Sequence, residues 1–209
     1  MHVVPVILEG SAARLEPLSL AHVEPLAAVG LDPAIWRWSP YPVDTRDDMR
    51  AYVETALAAC SAGVALPFAT VRRDTGDVIG TTRFGNIDVA NRRAEIGWTW
   101  LGVAHQRTAA NTEAKYLMLR HAFETWRCIR VEFKTDSLND KSRSALRRLG
   151  AVEEGTLRNH MTTASGRYRH SVYFSIVDDE WPAVRERLEG FMQRPPGAVG
   201  AADGEGHRP

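Results

Sequence analysis

The chain has 209 residues, a length that suits one domain with a continuous core. Hydrophobic residues make up 44% and charged residues 25%, the balance of a soluble globular protein rather than a disordered or fibrous one. Lys plus Arg equals Asp plus Glu at 26 each, so no bulk charge argues for nucleic acid or an anionic membrane as partner.

The first ten residues, MHVVPVILEG, lack the basic segment and long apolar run of a signal peptide. ARLEPL (Ala12 to Leu18) reads as a short strand and LAHVEPLAAVG as a helix. DPAIWRWSPYPVD, with three prolines and three aromatics, has the composition of a loop. Asp47 to Gly63 reads as a helix, with Met49, Tyr52, Val53 and Leu57 at helical spacing and a glycine at its end. PFATVRRDTGDVIGTTRF carries two β-rich arms around RDTGD, which is hairpin chemistry, and Arg93 to Val103 reads as the next strand.

A helix follows, ending near Trp126, with Glu113 in its first turn and Ala114, Leu117, Met118 and Ala122 at helical spacing. CIRVEFKTD alternates, placing Ile129, Val131, Phe133 and Thr135 on one side and Arg130, Glu132 and Lys134 on the other. DKSRSALRRLG is a short helix stopped by Gly150, and strands around GTLRNHM and SVYFSIV precede a closing helix, EWPAVRERLEGFM. The tail from Arg194 is rich in Pro, Gly and Ala without apolar periodicity and is expected to be disordered, leaving 1–193 as one domain and 194–209 as a tail. The order β-α-α-β-β-β-α-β-α-β-β predicts an α/β (α+β type) fold, with a mixed, mostly antiparallel sheet of six to seven strands and helices on both faces.

The turn QRTAAN (Gln106 to Asn111) feeds directly into the central helix. Helix N-termini attract anions because their first N–H groups are unpaired and the dipole is positive there, so this turn is a candidate phosphate cradle. It contains no glycine. Ala109 and Asn111 stand at the small or left-handed positions and Arg107 adds a cation, but on these residues alone a polar turn capping a core helix is the favoured reading.

With its surroundings, the segment resembles the GCN5-related N-acetyltransferase superfamily, in the branch that acetylates ribosomal-protein N-termini. The resemblance covers Ala12 to Leu188 and rests on the strand, QxxAxN turn and TEAK helix, then on TDSLNDKSRSALRRLGA, EEGTLR and the late EWP. It implies an acyl-CoA N-acyltransferase fold and transfer from acetyl-CoA to a primary amine, a peptide N-terminus or a small amine. No covalent intermediate and no metal are implied, and a catalytically inactive CoA-binding or interaction module is the alternative. Gln106, Ala109 and Asn111 fall on the family's pyrophosphate-loop positions, Ala109 and Asn111 departing from its glycines. The loop as a whole (Gln106, Arg107, Thr108, Ala109, Ala110, Asn111 and Thr112) is thereby the expected pyrophosphate site. Asn139 and Ser142 fall where the family contacts the pantetheine arm, Leu101 supplies the strand N–H that polarises the thioester, and Val103 holds the pantetheine amide by its backbone.

Glu95, in the otherwise apolar strand RAEIGWTW, is the candidate general base; its alternative is a solvent-facing carboxylate paired with Arg92 or Arg93. Ser142 is the candidate proton donor to the departing thiolate, because the helix position where the family often carries a tyrosine holds Leu146. Trp36, Trp38 and Tyr41 border the expected acceptor cleft, either clamping the acceptor or anchoring the loop. Arg147 and Arg148 are candidates for the coenzyme's 3′-phosphate or an ordinary solvated face. The seven histidines share no ligand spacing and Cys60 and Cys128 are far apart, so no metal and no disulfide framework is expected. A cytoplasmic location and no membrane partner are expected, and a homodimer is left open.

Overall fold

The computed structural model describes residues 1–193, and the tail expected to be disordered lies outside the described residues. Eight strands form one sheet in the order β1-β2-β3-β4-β5-β6-β8-β7. They are β1 (Leu8–Glu9), β2 (Ala13–Pro17), β3 (Leu66–Arg72), β4 (Val78–Asp88), β5 (Arg93–Leu101), β6 (Arg130–Asp136), β7 (Val152–Thr162) and β8 (Tyr168–Val177). The helices are α1 (Val23–Gly30), α2 (Pro33–Trp36), α3 (Arg46–Ser61), α4 (Ala109–Arg120), α5 (Asp140–Leu149) and α6 (Trp181–Gln193). All neighbouring strands run antiparallel except β5 and β6. The mixed sheet is as the sequence predicts, with one strand more, because Leu8 and Glu9 add a two-residue edge against Leu15 and Arg14.

Two apolar clusters sandwich the sheet. α1 and α3 cover one face around Leu26, Trp36, Met49, Val53 and Trp100. α4, α5 and α6 cover the other around Phe84, Ile96, Leu117, Phe133, Phe174 and Leu188. Strand alternation decides which side chains meet which layer: on β6, Val131 and Phe133 point into the second cluster, and Glu132 and Lys134 therefore point to the first face.

Three local departures from the sequence reading have physical causes. The proline-rich loop contains a helical turn, α2, because Asp32 accepts a hydrogen bond from the Ala34 N–H at 2.8 Å and Pro33 occupies the first turn, where its missing N–H costs nothing. β5 ends at Leu101 rather than Val103, which instead opens a 3₁₀ turn, Val103–His105. α4 is buried over nearly its whole circumference, from Thr112 to Leu119, and passes into a π-helical turn, His121–Thr125, before Trp126.

That burial leaves the charged residues of α4 no solvent to face, so they bond inward. Glu113 Oε1 accepts from the Ser11 backbone N–H and hydroxyl, each at 2.8 Å, and its Oε2 from the Ala12 and Ala13 N–H groups, each at 2.6 Å. Lys115 Nζ donates to the Thr99 hydroxyl at 2.6 Å, and burial brings its pKa down to about 7.

Candidate active site

The site is made by a strand pair that separates. β5 and β6 pair in parallel over three rungs only, Arg93 with Arg130, Ala94 with Val131 and Glu95 with Glu132. Beyond Glu95, β5 stays with β4 as far as Leu101, while β6 follows β8 as far as Asp136. A wedge opens between them. It is widened by a bulge at Trp98, whose φ of 49° is left-handed and where the β4–β5 register shifts between Thr81 and Arg83.

The open edge of β5 retains donors. Gly102 N–H donates to the Ile79 carbonyl at 2.9 Å, so antiparallel alternation turns the N–H and carbonyl of Leu101, one residue earlier, away from β4 and towards the wedge. Gln106 Nε2 takes that Leu101 carbonyl at 3.1 Å and ties the loop before α4 to the strand end. Val103 has left the strand, and its carbonyl accepts from Gln106 N–H at 3.3 Å.

α4 begins at the rim of the wedge. Thr108, its N-cap, makes no side-chain cap; the hydroxyl bonds back to the His105 carbonyl at 2.8 Å, and no acidic residue stands in the first turn. The N–H groups of the first turn, at Ala109, Ala110 and Asn111, therefore face outward without a competing side-chain acceptor. The left-handed residue of this loop is Arg107, at φ 60°, whereas Ala109 and Asn111 are helical. The backbone needs its left-handed step two residues earlier than the spacing of Ala109 and Asn111 suggests, and a non-glycine residue takes it. Thr112, further along the same turn, accepts from Arg148 at 3.3 Å, which brings α5 against the start of α4. This donor set, with Arg107 exposed beside it, fits the pyrophosphate of a coenzyme A.

On α5, Asn139 caps the helix: its Oδ1 accepts from the Ser142 N–H at 3.1 Å, leaving its amide N–H₂ without a partner among the described residues. The half-buried Ser142 hydroxyl likewise has no hydrogen-bond partner there, so it is not spent on its own backbone. Arg147 is held by Glu153 at 2.5 Å, which favours a structural role for it.

Glu95 occupies the vertex of the wedge on the face covered by α1 and α3. It is 3% exposed and pairs with neither Arg92 nor Arg93. Its Oε2 accepts from Asn86 Nδ2 at 2.8 Å and lies 3.6 Å from Lys134 Nζ. Its Oε1 has no hydrogen-bond partner among the described residues and lies beside Gly97, where an added Cβ would approach to 3.1 Å. Across β6, Tyr173 stands opposite Lys134. Burial, and after it the charges of Glu95 and Glu132, push the Tyr173 phenol up, so it holds its proton through the neutral range.

The three expected acceptor-side aromatics separate. Trp36 is buried, donates from Nε1 to the Gly30 carbonyl at 2.7 Å and packs at 5.4 Å on Trp100, so it anchors the wall and presents no face to an acceptor. Trp38 is half-buried, under Arg37 and beside Arg167, and Tyr41 is 70% exposed. Arg83, Trp98, Lys134 and Tyr173 line the same face as Glu95 and were not singled out in the sequence. The one signal was a lone arginine in TTRFGN, which alternation alone reads as solvent-facing. Among the described residues no cluster of three or more His, Cys, Asp or Glu could hold a metal, and no helix is long and apolar enough to cross a membrane. Clefts of about 650 and 500 Å³ lie at the other end of β5 and β6, around Trp181 and Arg92 and around Arg93 and Arg130, and contain none of these residues.

Residues 13–152 match the family model described as the acetyltransferase (GNAT) domain. YdaF of Bacillus subtilis (strain 168) is 32% identical over 106 residues, 51% of this chain and 57% of that protein, so the match spans less than two thirds of that relative. The ribosomal-protein-serine acetyltransferase of Escherichia coli (strain K12) is 26% identical over 172 residues, 80% of this chain and 94% of that protein. Among solved structures, a GCN5-related N-acetyltransferase from Brucella melitensis superposes with a TM-score of 0.83 at 31% identity, covering 91% of this chain and 86% of that one.

Proposed function

The chain belongs to the GNAT acetyltransferase family, and from that premise we propose that it is an acetyl-CoA-dependent N-acetyltransferase acting on a primary amine by direct attack. The observation that carries the reading is the parting of β5 and β6 beyond the Glu95–Glu132 rung, beside a helix whose N-terminus no side chain caps. Acetyl-CoA supplies an acyl group already activated as a thioester.

The chain's residues divide the remaining work. First-turn N–H groups of α4, from Ala109 to Asn111, with Arg107 beside them, hold the pyrophosphate; the Thr108 and Gln106 bonds keep that loop shaped for it. The Asn139 amide and the Val103 backbone hold the pantetheine arm. The outward Leu101 N–H stabilises the negative charge that develops on the thioester oxygen. Glu95, with Oε1 free, takes the proton of the attacking amine, and Asn86 and Lys134 fix the carboxylate in place from its other oxygen. A proton for the leaving thiolate comes from the unbonded Ser142 hydroxyl, with Tyr173 as the second protonated group at the wedge.

Residues 1–193 constitute the transferase domain in this reading, and Trp38 and Tyr41 border the acceptor. The naming of the Escherichia coli relative favours a ribosomal-protein N-terminus as acceptor, hence a cytoplasmic site of action, with a small amine next. Thermal-shift titration with acetyl-CoA and with CoA, followed by thiol release over a panel of amines and N-terminal peptides, tests the proposal. Stabilisation by both coenzymes and amine-dependent thiol release are expected. Absence of any stabilisation overturns it, and binding without turnover on any acceptor overturns the catalytic part.

A further inference from the structure

Arg83 is a buried cation without a counter-ion among the described residues. It lies on β4 at 6% exposure and has neither a hydrogen bond nor an ion pair among the described residues. Its guanidinium is instead held between two rings, 5.1 Å from the Tyr52 centroid and 5.0 Å from that of Trp98. Burying a charge without a partner is costly, and flanking aromatic faces recover part of that cost. They also leave the planar edge, where the N–H donors are, unclaimed.

The position of this edge is set by the sheet. Arg83 pairs with Gly97 and Gly85 pairs with Glu95, so Arg83 and Glu95 lie diagonally on one face, positions typically about 7–8 Å apart. Neither glycine puts a side chain between them. Gly85 is moreover required for the ring that clamps Arg83, since a Cβ there would come within 2.3 Å of Trp98. The guanidinium nitrogens are not fully sealed from solvent, so the edge keeps a route to an incoming group. A free carboxylate oxygen for an amine and a free guanidinium edge for an anion thus share one wall.

We propose that the acceptor is an aminocarboxylate: Glu95 receives its amine and Arg83 its carboxylate. The pairing with an amine rests on the acetyl-transfer reading, whereas the recognition of a carboxylate by Arg83 does not. Two sources carry this chemistry, an acidic residue at a peptide N-terminus and the α-carboxylate of a free amino acid. A bidentate guanidinium–carboxylate contact in this clamp discriminates against the neutral amide of the same shape, because the amide leaves the buried cation unmet.

The test is calorimetric binding to the CoA-saturated protein of two matched pairs, Asp- against Asn-headed peptides with amidated C-termini, and alanine against alaninamide. In the wild type the carboxylate member of one pair should bind at least tenfold more tightly, and which pair does so identifies the source. Arg83→Met should level that pair while leaving the neutral member's affinity and the thermal shift with CoA in place. Arg83→Lys, which keeps the charge but loses the fork, should retain part of the preference and guards against a folding failure of Arg83→Met. Equal binding within both pairs in the wild type, or a preference that survives Arg83→Met, overturns the proposal. Thiol release from acetyl-CoA is read separately with the same acceptors. A carboxylate preference in binding without thiol release supports recognition by Arg83 and sinks the transfer reading instead.

Discussion

Glu95 and Lys134 stand 3.6 Å apart where β5 and β6 separate, the carboxylate on the strand that stays with β4 and the ammonium on the strand that leaves with β8. The contact joins the two sides of the wedge at its vertex. Lys134 also lies 6.0 Å from the Trp98 ring centroid and 5.9 Å from that of Tyr173, so one cation is shared by three groups around the opening. The carboxylate is therefore positioned from one oxygen and open at the other, which is the arrangement a proton acceptor needs.

Glu95→Gln keeps the shape and removes the base. Turnover should fall by roughly 100-fold, the usual contribution of a positioned acid–base group, with acetyl-CoA affinity little changed. The rising limb of the pH–rate profile should flatten in the variant. An acceptor amine already neutral at the assay pH should recover part of the loss. Wild-type rates in Glu95→Gln would leave the chemistry to positioning and water.

Ser142→Ala removes a hydroxyl with no partner among the described residues, so the fold should not notice it. A several-fold loss in kcat is expected, smaller than for Glu95→Gln and not rescued by a neutral amine. Loss of the same size in Tyr173→Phe, with Ser142→Ala unchanged, would move the proton donor from α5 to β8.

The loop before α4 separates stability from binding. Arg107 sits left-handed at φ 60°, a conformation that costs a non-glycine residue about 1–2 kcal/mol. Arg107→Gly should keep or raise the Tm while weakening acetyl-CoA binding by several-fold through the lost cation. Unchanged affinity would show that the phosphates do not meet Arg107.

The mixed, mostly antiparallel sheet, the helices on both its faces and the loop-to-helix transition at Gln106–Asn111 were legible because element order, local periodicity and turn chemistry carry them. What escaped is non-local. Trp36 reads as either an acceptor clamp or a loop anchor, and only the approach of Tyr52 from α3 and Trp100 from β5 decides for the anchor. Arg83 reads as a solvent-facing strand residue because alternation says which face it takes and not what covers that face. The partner of Glu95 was sought at Arg92 or Arg93, but Arg93 is engaged by Asp88 and Glu132, and the actual partners of Glu95 come from β4 and β6. The inward bonds of Glu113 and Lys115 are likewise set by the burial of α4 on all sides, which its local spacing does not reveal.

Glu113→Ala tests one of those inward bonds. It would strand the N–H groups of Ser11, Ala12 and Ala13, which the carboxylate now receives at 2.6–2.8 Å. Stability should fall by about 3 kcal/mol, since each buried donor left unpaired costs about 1–3 kcal/mol. Urea unfolding with an unchanged slope and a lower midpoint would record it; a midpoint within error of the wild type would show the turn finding other acceptors.

Lys115 gives stability a pH dependence whose sign is opposite to that of a lysine held in an ion pair. Burial lowers its pKa from 10.5 to about 7, so between those values the unfolded chain holds a proton that the folded chain has released. Stability therefore rises with pH across that window, by up to about 1.4 kcal/mol per pH unit from this group. Below pH 7 both states are protonated and the whole penalty is present; above 10.5 both are neutral and it is gone. Lys115→Met fills the same volume without a charge, giving up the bonds to Thr99 and Thr82. Its urea midpoint should exceed that of the wild type most clearly below pH 7, and the two curves should converge or cross as pH approaches 10. A constant offset between the two curves from pH 6 to 10 would mean that the lysine is solvated and charged throughout, and that its amine is not the neutral donor to Thr99 that the packing of α4 requires.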